Sequence, residues 1–272
     1  MKKIANVVSI AGVDPSGGAG IFADLKAFSA LGAYGCGVTV AITAQNTKGV
    51  TGVALTEPAF VAEQIDTLFD DVEISAVKIG MLGSAPLIST VAQRLRAVTG
   101  PIPIVLDPVM VAKSGHALLA EDATAVLIEQ LIPMATVITP NLPEAGVLLN
   151  EPPPETLAEM RAVAEKLRRL MTSDQAWVLL KGGHLAGDSC TDLLYNGEQQ
   201  IELPAARIDT VNTHGTGCTY SAAIAALLAQ GRDMAEAVWE AKQYLTAAIA
   251  TADELSVGEG HGPVNHFHHL WR

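Results

Sequence analysis

The sequence predicts an α/β domain built on a mostly parallel sheet with helices on both faces. Strand-like and helix-like segments alternate along the chain. Several of the strand-like runs are apolar throughout, as strands covered on both faces must be. The glycine-rich and polar motifs fall just after strands, where ligands gather at the carboxyl ends of such a sheet.

The first strand is "IANVVSI" (4–10), a β-branched run. After a glycine-rich turn, Ile21, Phe22, Leu25, Phe28 and Leu31 recur at helical spacing from Gly20 onward. Further strands are expected at "GVTVAIT" (37–43), "SAVKIGM" (75–81), "IPIVLDPV" (102–109), "ATVITPN" (135–141) and "AWVLLKGG" (176–183). Helical patterns lie between them, among them 84–98 and 155–171. The chain then carries a hairpin (190–206), a helix after Gly217 and another near 234–253. "NEPPPET" (150–156) is the strongest local break, but a boundary there would separate strands of one sheet. It is read as a surface loop, and residues 1–272 as one domain.

The apolar fraction of 49% and charged fraction of 17% belong to a folded globular chain. No apolar run reaches the ~18–20 residues that span a bilayer. The opening "MKKIANVVSI" runs into Asp14-Pro15 and not into a small-residue cleavage site, so it is read as a strand and not as a signal peptide. Cys36, Cys190 and Cys218 are odd in number and lack CxxC spacing. They imply a reducing compartment, no disulfide framework and no zinc site. A cytoplasmic location is therefore expected. The formal charge of −12 argues against a nucleic-acid or anionic-membrane surface. It allows a phosphorylated small ligand, held by local amides, a cation and a metal.

Five stretches carry candidate chemistry. "AGVDPSGGAG" lets the backbone approach a ligand, or is a plain βα turn; it has neither P-loop nor dinucleotide-fingerprint spacing. "TAQNT" places Gln45 after a strand, where an amide with one donor and one acceptor suits a heterocycle bearing a ring nitrogen and an exocyclic amine. "ITPNLPEA" supplies Asn141 and Glu144, three apart, either to hold hydrated Mg²⁺ or to form a helix capping box. "LLKGGH" ends a strand with Lys181, Gly182 and Gly183, a cation and flexible backbone fit for nucleotide phosphates. "THGTGCTYSAAIAALL" brings Gly215, Thr216 and Gly217 to a helix start, where free amides and the dipole favour an anion. Cys218 falls in that first turn, either as a thiol whose pKa the helix N-terminus can lower or as a small residue packed at the start of a buried helix. The tail "GHGPVNHFHHLWR" holds four of seven histidines. Lacking nearby Cys or HExxH, it reads as a surface or interface cluster and not as a metal site.

In order, "AGVDPSGGAGIFADLKAF", "TAQNT", "KIGML", "LDPVMVAKSG", "ITPNLPEA", "LLKGGH", "GTGCTYSAAIAA" and "GHGPVNHFHH" cover nearly the whole chain. Together they resemble the hydroxymethylpyrimidine/phosphomethylpyrimidine kinases of thiamine biosynthesis, within the ribokinase-like superfamily. The resemblance implies a three-layer ribokinase-like fold. It also implies phosphorylation of 4-amino-5-hydroxymethyl-2-methylpyrimidine, and then of its monophosphate, with ATP and Mg²⁺. By the same resemblance Gln45 binds the aminopyrimidine, and Gly12, Ala19, Met81 and Val109 line its pocket. Gly215, Thr216 and Gly217 form the anion hole. Cys218 stands where most ribokinase relatives carry a catalytic aspartate, as the base or its positional stand-in. Asn141 and Glu144 organise Mg²⁺ through water, and Lys181, Gly182 and Gly183 serve the nucleotide. A homodimer is expected on the same ground. Val13 departs from the family's small polar residue. The alternatives are a pyridoxine/pyridoxal kinase, which Gln45 suits less well, and a non-catalytic pyrimidine or nucleotide sensor on the same fold.

Overall fold

The computed structural model describes residues 3–97, 102–110, 121–187 and 190–271. Residue 98 of the predicted 84–98 helix and the 111–115 end of the "LDPVMVAKSG" region lie outside them. Nine strands form one sheet: β1 (Asn6–Val13), β2 (Tyr34–Asn46), β3 (Gly49–Leu55), β4 (Ala76–Ile79), β5 (Ile104–Leu106), β6 (Val137–Ile138), β7 (Trp177–Leu180), β8 (Asp192–Tyr195) and β9 (Gln200–Leu203), in the order β3-β2-β1-β4-β5-β6-β7-β8-β9. From β2 through β7 neighbouring strands are parallel, and β3, β8 and β9 add antiparallel edges. The α-helices are α1 (Gly20–Ala30), α2 (Pro58–Asp71), α3 (Ala85–Ala97), α4 (Glu121–Gln130), α5 (Leu142–Leu149), α6 (Leu157–Arg168), α7 (Thr216–Ala229) and α8 (Met234–Ala250).

Strand alternation sends successive side chains to opposite faces, and both faces are covered. Val8, Ile10, Val77, Ile79 and Leu106 pack into one core with α2, α3 and α6. Val7, Ala76 and Val105 point the other way, into a core with α1, α7 and α8. This double burial is why β5 and β7 read as unbroken apolar runs and why β4 is broken only by Lys78.

Three expectations change. The second strand runs to Asn46 instead of stopping at 43, so Gln45 lies within it and not in a loop beyond it. The chain then returns as β3, which the sequence reading missed. β3 is a largely exposed edge strand interrupted by Gly49 and Gly52, and it carries no burial signature of its own. The strands expected at 102–109 and 135–141 pair over only Ile104–Leu106 and Val137–Ile138. The predicted hairpin is present as β8–β9, with Leu193 opposite Glu202. The 150–156 break joins α5 to α6, where Asn150 ends α5 in a left-handed conformation.

Candidate active site

The chain leaves β1 for β2 on one side and reaches β4 on the other, so the topology switches beside β1, where a parallel sheet opens a crevice at its carboxyl ends. There the first glycine-rich segment and the start of α7 meet. Gly215 has φ +77°, and a Cβ on it would lie 1.7 Å from the Gly18 carbonyl oxygen and 3.4 Å from Ala19 Cα. Only glycine allows that approach. Gly12 faces Met81 less closely, with a hypothetical Cβ 2.5 Å from the flexible Met81 Cε.

Asp14 ties the two segments together. Its buried carboxylate accepts from Ser16 Oγ (2.7 Å), the Ala19 amide (3.0 Å) and His214 Nε2 (2.7 Å). Burial opposes its ionisation, but the hydrogen bonds from His214 and Ser16 and the His214 charge outweigh this and hold it below the usual carboxylate value. Gln45 Nε2 lies 3.4 Å from His214 Nε2, and Thr43 Oγ1 donates to Gln45 Oε1 at 3.1 Å. Gln45, Ala19 and the α7 turn are thus linked through Asp14 and His214.

Across the crevice, Lys181 Nζ contacts Asp107 Oδ1 at 2.9 Å and lies 3.3 Å from where a Gly217 Cβ would be. Asp107 also accepts from Thr139 Oγ1 at 3.0 Å. Burial works against both charges. For Lys181 the carboxylates of Asp107 and Glu144 prevail and raise its pKa; for Asp107 the ammonium groups of Lys181 and Lys78 prevail and lower its own. Asn141 bridges Lys181 in parallel fashion. Asn141 and Glu144 form a full capping box: Asn141 Oδ1 accepts from the Glu144 amide at 2.9 Å, and Glu144 Oε2 from the Asn141 amide at 2.8 Å. Burial, reinforced by Asp107, pushes the Glu144 carboxyl up to about 7 against the Lys181 charge. The Gly182 amide donates to Asp192 Oδ1 at 2.9 Å, while Gly183 faces open space. Val109 follows Asp107 and is half-buried, but none of the contacts above reaches it.

Gly215 caps α7 without any side-chain hydrogen bond; the Thr216 amide donates to Thr213 O at 3.3 Å, and the amides after it and the positive end of the dipole mark the helix start. Cys218 is half-buried beside it. The expectation that this start lowers its thiol is reversed: burial pushes the thiol up to about 11, and the Lys78 charge and the Gly20 amide only partly offset this.

The tail braces the site. The His214 amide donates to Gly262 O (3.0 Å), while the Gly260 amide and the His261 amide bond Thr47 Oγ1 (3.1 Å) and Thr47 O (2.9 Å). Tail residues thereby clasp the Gln45 strand end to the α7 turn. His266 is not a surface residue: it is 3% exposed and its Nε2 lies 3.0 Å from Thr219 Oγ1. Among the described residues no group of three or more His, Cys, Asp or Glu side chains is arranged to hold a metal.

Burial lowers His266 to about 3 from its usual 6.5. Between those values the unfolded chain binds the extra proton, so this stability is complete above 6.5 and is lost as pH falls. The loss reaches on the order of 4 kcal/mol. Urea unfolding from pH 7 to 4 is expected to show this slope in the parent and a flatter one in His266→Gln. Equal slopes would contradict it.

Sequence reading did not single out Asp14, Asp107, His214, Lys78 or Asp24 as functional. Signals existed for three: Asp107 ends an apolar strand, Lys78 interrupts one, and Asp24 falls on the apolar stripe of α1.

The profile of the family described as phosphomethylpyrimidine kinase matches residues 14–265. The chain is 53% identical to a hydroxymethylpyrimidine/phosphomethylpyrimidine kinase of Rhizobium meliloti, over 98% of this chain and 99% of that one. It is 46% identical to a thiamine biosynthesis bifunctional protein of Geobacter sulfurreducens, over 96% of this chain and 52% of that one. Among solved structures it is similar to the pyridoxal kinase from Staphylococcus aureus in complex with AMP-PCP and pyridoxal, with a TM-score of 0.89 and 31% identity over 99% and 96% of the two chains. Among the described residues no helix is long and apolar enough to cross a membrane.

Proposed function

The chain belongs to the phosphomethylpyrimidine kinase family, and from that membership we propose how its residues carry out the transfer. It is a phosphotransferase of thiamine biosynthesis, acting on 4-amino-5-hydroxymethyl-2-methylpyrimidine and then on its monophosphate. The pyridoxal kinase reading is disfavoured by similarity: 31% identity to that neighbour against 53% to the pyrimidine kinase.

One observation supports the assignment of roles above the others. The glycine turn at the head of α7 closes on the first glycine-rich segment while Lys181 stands beside Gly217. Open amides, a helix dipole and an ammonium then converge where a phosphoryl group in flight gathers charge. In this reading Gly215, Thr216 and Gly217 cradle that group, and Lys181 meets the ATP phosphates, for which Gly183 leaves room while Gly182, packed against Thr191, fixes the turn. Gln45 holds the aminopyrimidine, with Gly12, Ala19, Met81 and Val109 around the ring. The Asp14–His214 pair orients Gln45.

Mg²⁺ would be held near Asn141 and Glu144 through water. Glu144 and Asp107 set two buried carboxyls against the Lys181 ammonium, and a hydrated divalent cation there would draw the raised Glu144 carboxyl into its charged form. When bound, the ion would neutralise charge on the phosphates. The neutral Cys218 thiol fits positioning better than proton abstraction. In a loose transfer the attacking hydroxyl gives up its proton late, so positioning and electrostatics carry most of the rate. Residues 1–272 act as one kinase domain, in the cytoplasm.

Product analysis with ATP and Mg²⁺ tests this reading. The pyrimidine alcohol is expected to give monophosphate and then diphosphate, and Gln45→Ala to weaken its KM by ten- to a hundredfold, since it leaves polar ring atoms unpaired. Turnover of pyridoxal alone, or an unchanged Gln45→Ala enzyme, would overturn the substrate assignment.

A homodimer through the β2–β3 ribbon is part of the same proposal. Val53 and Leu55 are exposed on one face of the ribbon, Ile42 is exposed on the other, and Phe60 of α2 is also exposed. Val53→Asp is expected to shift the light-scattering mass toward one chain, and a parent mass of one chain would count against the dimer.

A further inference from the structure

The kinase reading leaves a fully buried ion pair without a task. Ser9 on β1 and Lys78 on β4 are direct neighbours in the parallel ladder. Both point to the face covered by α1 and α7, the side opposite Ile79 and Ile10. Lys78 Nζ contacts Asp24 of α1 at 2.8 and 3.0 Å, and Ser9 Oγ donates to Asp24 Oδ2 at 2.6 Å. Lys78 and Asp24 are both 0% exposed. Lys78 Nζ also lies 2.9 Å from where a Gly80 Cβ would be, so the ammonium reaches toward the carboxyl end of β4, the end that holds the site. A buried pair of this kind is a poor source of stability, since well-packed apolar side chains of similar volume do as well or better.

The head of α7 closes on Gly18 and Ala19, just before the α1 turn that carries Asp24, and α7 packs on α1, β1, β4 and β5. The charged groups that act on the Cys218 thiol are Lys78 from β4, Asp24 from α1 and Asp107 beyond β5. The Gly20 amide faces it too, and Lys181 beyond β7 shares the interaction. Lys181 is already matched by Asp107 and faces the nucleotide side. Lys78 is the cation nearest in role to the thiol itself.

We propose that Lys78 is a positioning residue for the reaction: its buried ammonium, clamped by Asp24 and Ser9, holds a fixed positive charge under the first turn of α7 and acts through Cys218. Asp24 and Ser9 keep the ammonium from turning toward solvent or toward a phosphate. The charge that collects at the turn during transfer then meets a cation that does not have to move. The proposal rests on the kinase reading for its effect on rate, but its effect on the thiol stands apart from it.

The test uses Lys78→Met and Lys78→Met/Asp24→Leu. The double variant removes both charges, so no buried carboxylate is left unpaired. Alkylation of Cys218 by iodoacetamide, followed by peptide-resolved mass spectrometry against pH, reads the thiol and separates it from Cys36 and Cys190. In Lys78→Met its midpoint is expected to rise by about one pH unit, the effect of losing a nearby opposite charge; in the double variant the rise is smaller, because the like charge of Asp24 is lost as well. Below the midpoint the reaction slows about threefold, because the rarer thiolate is more nucleophilic. With the pyrimidine alcohol, kcat is expected to fall about tenfold or more while KM stays within about twofold, the pattern of an interaction made in the transition state.

A folded Lys78→Met variant with the parent's alkylation midpoint would overturn the proposal. So would a double variant that fails to fold, since the pair would then belong to the fold. If the parent does not phosphorylate the pyrimidine at all, the kinase reading falls, while the alkylation midpoint still decides what Lys78 does to Cys218.

Discussion

Gly215→Ala is expected to lower kcat by about a hundredfold or more and to cost about 3 kcal/mol of stability. Two effects combine. At φ +77° an L side chain strains the backbone, by about 1–2 kcal/mol. The new methyl would also lie 1.7 Å from the Gly18 carbonyl oxygen, a contact that only backbone movement relieves. That movement parts the two segments and turns the first amides of α7 away from the transferred group. Gly32→Ala is the control. Gly32 has the same φ of +77° with nothing within 4 Å, so it isolates the backbone strain at about 1 kcal/mol and leaves turnover intact. Steady-state kinetics and urea unfolding of both variants make the comparison. A Gly215→Ala enzyme with the parent's kcat would remove the α7 turn from the mechanism.

Lys181→Met carries the second large effect. The pair with Asp107 is nearly dry, with side chains 15% and 2% exposed. Breaking such a pair from one side costs about 3–5 kcal/mol, because the remaining charge is buried uncompensated. The pH dependence gives the sign. In the parent, Lys181 helps hold Asp107 below its ordinary value. This stabilises the fold above the unfolded carboxyl pKa and is lost only in acid. Without Lys181, burial works on Asp107 with less opposition and its pKa rises. Protonation then relieves the folded state, so the gap between variant and parent is expected to narrow from pH 8 to pH 5. Turnover is expected to fall about a thousandfold through loss of a cation at the phosphates. A gap that stays constant with pH would mean that Asp107 does not depend on Lys181. Near-parent turnover would place the nucleotide elsewhere.

The two halves of the site differ in how far they could be read from the chain. Gln45, the Gly215–Gly217 turn and the Asn141–Glu144 pair are local patterns: a few neighbouring residues whose spacing already constrains them. The capping box of Asn141 and Glu144 formed as one of two open readings. Asp14 and His214 are 200 residues apart, and Lys78 and Asp24 are 54 apart. No spacing rule links either pair. Their polar character in apolar surroundings was visible, but their partners were not.

By itself the sequence determined the layered α/β class, the order of most elements, the family and the local glycine turns, because periodicity and backbone freedom act over a few residues. Only the tertiary structure decided what surrounds each charge. It reversed the expected shift at Cys218, since burial outweighs the helix start there. It put His266 inside the fold and not on a metal or at the surface. It extended β2 into a ribbon that carries Gln45 toward His214. The physical reason is the same in each case: desolvation and long-range pairing depend on what folds over a residue, and that is set by segments far away in the chain.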